Sequence, residues 1–151
     1  MIRDDINAAK IAAMKAGEKD TVGTLRLVQA AILNRDIEAR TGGAPKDDDT
    51  LVTEVLQKMI KQRRESAELY RKGGREDRAA SEEGEIAVIE RFLPKQMSDE
   101  EARSAVQAII AATGAGSIKD MGRVMAEVKS RHAGELEPAR ASALVKEMLG
   151  A

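Results

Sequence analysis

Within 13 residues the chain places Lys119, Arg123, Lys129 and Arg131, followed at once by His132, with Lys146 a little further on. Ammonium and guanidinium groups at such a spacing can neutralise anions, and arginine presents paired N–H donors that match a phosphate or carboxylate. The set is modest in size but little diluted by acids. A larger set lies upstream, where Lys58, Lys61, Arg63, Arg64, Arg71, Lys72, Arg75 and Arg78 outnumber Glu65, Glu68, Glu76 and Asp77. This is the strongest local positive patch. Its lysines are interleaved with acids, however, and Lys61–Glu65 and Arg64–Glu68 stand at the four-residue spacing at which helical side chains pair. An ordinary solvated face therefore competes with phosphate contact for Lys58, Lys61, Arg64 and Lys72.

Arg63 differs from its neighbours. Four-residue steps from Met59 put it on the apolar side of its helix near Tyr70, where an unpaired guanidinium is costly. It is expected to form a structural ion pair with Glu85 or Glu90 of the following helix. Gly122 lies inside a helical pattern, where glycine costs about 1 kcal/mol relative to alanine, and close approach of a neighbouring helix or a ligand is the expected reason. The helix start at Gly116-Ser117 offers free amides to a phosphate, as every helix start does. His132 reads as an exposed loop histidine. With no cysteine and no second histidine in the chain, it lacks the companions of a usual zinc site.

Catalytic machinery is not apparent. Glutamine-dependent amide transfer needs a nucleophile, a base and a phosphate-and-magnesium site. The sequence has no cysteine, no phosphate-binding glycine loop between strand and helix, and no Ser/His/Asp arrangement. Glu82, Glu83 and Glu85 read as surface charge and ion-pair partners. No catalytic residue, metal ligand or cofactor site is assigned. The formal net charge of −1 excludes a global field drawing the protein to nucleic acid. Divided at Lys95, the first part has 18 Lys/Arg and 18 Asp/Glu and the remainder 7 and 8, so any such binding must be local. No apolar run approaches the roughly 20 residues of a membrane span, and the start is acidic rather than signal-like. A soluble, cytoplasmic protein without a membrane partner is expected.

The elements that must position these residues are helices. Only Tyr70 and Phe92 are aromatic, so the core must come from Ala, Leu, Ile, Val and Met. Ile2, Ile6, Ala9 and Ala13 recur at helical spacing up to Gly17, and Leu25, Val28 and Ile32 mark a second helix. The stretch 41–49 supplies breakers and then acids suited to the start of a long helix from about Thr50 to Lys72. Gly73-Gly74 stops it, and Ala79, Ile86, Ile89 and Leu93 mark a fourth helix ending before Pro94. Ser98-Asp99-Glu100-Glu101 is a capping box that opens a helix carrying Ala102, Val106, Ile109 and Ile110. A helix with Met121, Val124, Met125 and Val128 inward follows Ser117, and Pro138 opens the last, with Leu144, Val145, Met148 and Leu149. The expected fold is all-α, with an N-terminal lobe of about four helices at 1–95 and a three-helix tail bundle at 96–151.

Several segments resemble the GatB/YqeY family. Leu25-Arg26-Leu27-Val28 with Ala30-Ala31, Lys61-Gln62-Arg63-Arg64-Glu65-Ser66 and Gly74-Arg75-Glu76-Asp77 are similar to YqeY proteins. So are Glu85-Ile86-Ala87-Val88-Ile89-Glu90 and the exit Phe92-Leu93-Pro94-Lys95-Gln96. Lys119-Asp120-Met121-Gly122-Arg123-Val124-Met125 resembles the tail-domain motif, and Leu144-Val145-Lys146-Glu147 its closing helix. The resemblance implies a tail shared with the GatB subunit of the glutamyl-tRNA(Gln)/aspartyl-tRNA(Asn) amidotransferase, where the tail helps to hold tRNA. Carried over by position, the implied tRNA contacts are Lys119, Arg123, Lys129, Arg131 and Lys146. Glu135-Leu136-Glu137-Pro138 departs from the basic or glycine-rich turn of many relatives. Nothing resembles the ATP and ammonia-channel portion that precedes the tail in GatB. The implied function is a tRNA-binding or tRNA-enzyme accessory module, non-catalytic alone, with tRNA and a synthetase or amidotransferase as partners. A helical protein adaptor and a carbon-nitrogen ligase component needing further subunits are the alternatives.

Overall fold

The computed structural model describes residues 1–45 and 47–150, and among them it contains seven α-helices, one 3-10 turn and no strand. Lys46, in the predicted breaker stretch, and Ala151, the end of the predicted tail, lie outside the described residues. Helices α1 (Ile2–Ala16), α2 (Lys19–Ala39), α3 (Asp48–Lys72) and α4 (Glu76–Glu90) come first, then α5 (Asp99–Thr113), α6 (Met121–Arg131) and α7 (Pro138–Gly150). The 3-10 turn Ile118–Asp120 leads directly into α6, so the helix expected after Ser117 begins with one tighter turn. The chain forms two compact units, one of Met1–Leu93 and one beginning at Pro94.

In the first unit α1 packs on α2 and α3 on α4, and the two pairs share a core of Ile6, Leu25, Val28, Ile32, Val52, Leu56, Met59 and Ile89 with their neighbours. Asp47 caps α3 by accepting from the Thr50 N–H at 3.0 Å, which satisfies one of the unpaired first-turn amides. Arg3 ties three helices together. Its guanidinium is 2.8 Å from Asp36 on α2 and 2.8 Å from Asp48 on α3, and the Ile2 N–H donates to Asp49 at 2.9 Å. Hydrogen bonds from Arg3 hold the Asp36 carboxyl below its ordinary range, because they stabilise the charged form.

The buried residues of α3 crowd into Leu51–Ile60 and leave only Ala67 beyond, while those of α4 are Ala79 and then Ile86, Val88 and Ile89. The far half of this helical pair therefore has almost no apolar core. Charge contacts hold it instead. Arg63 reaches Glu85 at 2.8 Å, Arg64 reaches Glu90 at 3.6 Å, Arg71 pairs with both Glu76 and Glu83, and the Arg78 guanidinium lies 5.9 Å from the Tyr70 ring centre.

The second unit packs α5, α6 and α7 around Ala102, Val106, Ile109, Val124, Val128, Leu136, Ala141 and Val145. Ser98 accepts from the Glu101 N–H at 3.1 Å and the Glu101 carboxylate faces the Ser98 N–H, so the capping box forms. Gly114 ends α5 at φ 68°, a left-handed turn that an L side chain would strain. The segment leading into α5 is latched to the loop before α7. Gln96 donates to the carbonyls of Gly134 at 2.6 Å and Pro94 at 2.8 Å, the Met97 N–H donates to the Glu135 carbonyl, and Arg140 donates to the Met97 carbonyl.

Candidate nucleic-acid interface

Helix α6 turns Val124 and Val128 into the core, with Met121 and Met125 half-buried beside them. Helical spacing then directs Arg123 and Ser130 away from the core, and Lys119 is exposed in the leading turn. Lys119, Arg123, Lys129 and Arg131 are all exposed, as is Lys146 on α7, which packs on α6. The first four share one helix and its leading turn. Acids stand close by: Arg123 lies 3.2 Å from Asp120, and Arg131 lies 2.9 Å from Glu127. Both arginine side chains remain about half exposed, 56% and 49%, so each pair is worth little against solvent and an incoming phosphate can compete for it.

The amides expected to be free at the start of this helix are engaged. The Asp120 carboxylate accepts from the N–H groups of Gly116 at 3.0 Å and Ser117 at 3.3 Å. Those backbone bonds hold its pKa below the ordinary aspartate value. The expectation that Gly116-Ser117 offers open amides to a phosphate is therefore corrected, since a carboxylate of the chain already sits there. The spacing Ser117-x-x-Asp120 carried this signal, because it is a shortened form of the capping box.

Two more expectations are corrected. A Cβ built on Gly122 would meet nothing within 4 Å, so among the described residues no neighbouring helix packs against it and that expected reason is corrected. His132 is not a solvated loop residue: its side chain is only 23% exposed, and its Nδ1 lies 3.2 Å from Glu135. The cause is local, because the chain folds back through Gly134 and places Glu135 one turn-length away.

The upstream patch combines contacts between helices with pairing along α3. Arg64 faces Glu90 across to α4, and Glu68 pairs with Lys72 at 3.5 Å. Lys58 and Lys61 are exposed on α3. Arg63 is the least exposed of this group, with its side chain 14% accessible, bonded to Glu85 and to the Met59 carbonyl. No sequence signal pointed to Arg103, which pairs with Glu147 across α5 and α7 at 3.0 Å, nor to the Arg140 and Gln96 latch. Those partners lie 38–44 residues apart, and no periodicity connects them.

The result is an all-helical protein in which both units carry exposed cations, several of them paired with nearby carboxylates. The family model for Yqey-like proteins matches residues 3–149, and the chain belongs to that family. It is similar to an uncharacterized protein of Schizosaccharomyces pombe, with 35% identity over 86 residues, 57% of this chain and 67% of the relative. It is also similar to "Altered inheritance of mitochondria protein 41, mitochondrial" of Pyrenophora tritici-repentis, with 28% identity over 146 residues, 92% of this chain and 76% of the relative. Among the described residues no helix is long and apolar enough to cross a membrane.

Proposed function

We propose that this protein is a tRNA-associated accessory module that is not catalytic alone, and that the segment 96–151 within its second unit is a self-folding three-helix tail that meets tRNA phosphates. The observation that carries the reading is the set of exposed cations Lys119, Arg123, Lys129 and Arg131 along α6 and its leading turn, with Lys146 exposed on the adjoining helix. The resemblance of Lys119-Asp120-Met121-Gly122-Arg123-Val124-Met125 to the tail of the amidotransferase's GatB subunit supports the same choice of ligand. The near-neutral total charge argues for a local contact of few phosphates, with the partner enzyme, a synthetase or amidotransferase, supplying the rest of the affinity. Within this reading the protein works beside its tRNA in the cytoplasm, whereas the Pyrenophora relative is named as mitochondrial.

Binding of total tRNA followed across salt concentrations is the test. Phosphate contact makes affinity fall with salt, with a slope of about 0.9 per phosphate neutralised on a duplex. Replacing Lys119, Arg123 and Lys129 together by alanine should weaken binding of all tRNAs alike and flatten that slope by about one unit per lost contact. Replacing Lys58, Lys61 and Lys72 should do less. If the second triple variant lost more affinity while both stayed helical, the contact would lie on the other unit. Salt-independent or absent binding would favour the protein adaptor instead, and glutamate release from glutamine above a no-protein control would overturn the non-catalytic assignment.

A further inference from the structure

Eight large hydrophobic side chains are exposed among the described residues, and five of them, Ile11, Met14, Leu27, Leu33 and Ile37, belong to the α1–α2 pair, with Met1 directly before α1. Scattered exposed hydrophobes are ordinary, but a concentration of them on one element pair marks a contact surface. Excluding the terminal Met1, each is 43–57% exposed. The register of the two helices is fixed by Lys10 to Gln29 at 2.9 Å and Arg3 to Asp36 at 2.8 Å. In that register Ile11 stands level with Leu27, and Leu33 and Ile37 with the first turns of α1. On α2 the outward positions Gly23, Leu27, Ala30, Leu33 and Ile37 follow one another at three- and four-residue steps. The inward positions Val22, Leu25, Val28 and Ile32 are buried. Helix α2 is thus apolar on both sides, whereas a helix at a solvent boundary is polar on its outer side. The small residues Gly23 and Ala30 on either side of Leu27 leave room for another helix to approach.

Charge selects the occupant. In the half of the pair next to the turn Lys10, Lys15, Lys19 and Arg26 outnumber Glu18 and Asp20, and in the open half Asp4, Asp5, Asp36 and Glu38, with Asp48 and Asp49 of α3 alongside, outnumber Arg3, Arg35 and Arg40. A surface with opposite signs at its two ends is complementary to itself when turned end for end, which is the arrangement an isologous two-fold contact produces. We propose that two copies of this chain associate through their α1–α2 faces about such an axis, with the acidic end of each over the basic end of the other.

Sedimentation of the full chain over a dilution series at low salt tests this. The expected result is a dimer that dissociates on dilution, and Leu33→Arg should shift the species to monomer at the same concentration with its helical circular dichroism unchanged. Two charge variants separate a contact from a folding effect. Asp4→Lys with Asp5→Lys, and Lys15→Glu with Lys19→Glu, should each raise the dissociation constant at least tenfold when alone. Mixed one to one, they should regain a heterodimer near the original affinity, because each half-site again pairs opposite charges. A chain monomeric at all concentrations, or a dimer untouched by Leu33→Arg, would overturn the proposal. So would two weakened variants that fail to rescue each other. A monomer that still captures a partner protein through Leu33 would overturn it too, by reassigning the same face to a heterologous contact.

Discussion

Replacing Gly122 by alanine should stabilise the protein. Gly122 sits in the first turn of α6 with a negative φ, since it is absent from the left-handed glycines, and an added methyl group would touch nothing within 4 Å. Neither of the usual penalties applies there, neither a clash nor a strained dihedral. What remains is the unfolded state, in which glycine samples more conformations than alanine and so loses more entropy on folding. A helix-interior position gains about 0.5–1 kcal/mol from the change, and a first-turn position lies near the lower figure. In a unit of this size that corresponds to an upward shift of about 2–4 °C in its thermal midpoint. Urea denaturation read by circular dichroism measures the stability change, and hydrogen exchange of the α6 amides assigns it to the second unit. Gly134→Ala is the contrasting control. It is buried at φ 77°, and a side chain there costs about 1 kcal/mol or more. Destabilisation by Gly122→Ala would mean that something packs on that face after all, and the open-surface argument would fail.

Two further outcomes follow from the second unit. The Asp120 carboxyl has its folded pKa held down by the Gly116 and Ser117 amides, so the unfolded chain takes up a proton first as the pH falls below the ordinary aspartate value. The stabilisation is complete above that value and is lost as pH drops through the depressed folded pKa. Asp120→Asn should therefore lower the urea midpoint at about pH 7 more than at about pH 3, and an equal loss at both would refute the charge-based account. Residues 96–151 made as a separate peptide should give a helical circular dichroism spectrum, because the core of that unit and its Gln96 and Arg140 latches all lie within it. A random-coil spectrum at low temperature would count against independent folding.

The helices were legible because their signals are local. Apolar spacing placed Val124 and Val128 inward on α6, and Ser98 with Glu101 announced the start of α5, since both depend on neighbours three or four residues away. Arg63 was legible for a related reason, as four-residue steps put it on the apolar side of α3 and its cost there demanded a carboxylate. The surroundings of Gly122 and His132 were not legible, because they depend on the tertiary path. A helical glycine signals missing side-chain volume without saying whether a neighbour fills it, and the loop through Gly134 that half-covers His132 has no periodic signature. The outward face of α2 was visible in principle, since Leu27, Leu33 and Ile37 are as apolar as Leu25 and Val28. A helix apolar on two sides reads from sequence as a buried one, and only the packing distinguishes its covered side from its open side.

The same carboxylate that closes the turn before α6 also limits what the helix's cations can hold. Asp120 neutralises the helix start and contacts Arg123, and Glu127 contacts Arg131, so a phosphate arriving at this face must displace carboxylates rather than water alone. Exposed pairs of this kind are worth at most about 1 kcal/mol each, which makes them displaceable while still subtracting from the gain of each new contact. A single copy of the face is therefore suited to weak, salt-sensitive association. Joining two copies changes the arithmetic without adding a contact, because the second binding event becomes intramolecular and is set by an effective concentration. The α1–α2 face and the α6 cations belong to different units of the chain. The proposed dimer and the proposed tRNA contact thus rest on separate residues. Leu33→Arg should leave the intrinsic salt slope per site unchanged while lowering the apparent affinity for any RNA long enough to engage both copies, and titrating wild type and variant with tRNA under matched salt series measures both quantities. An altered slope per site would mean that the two contacts share residues after all.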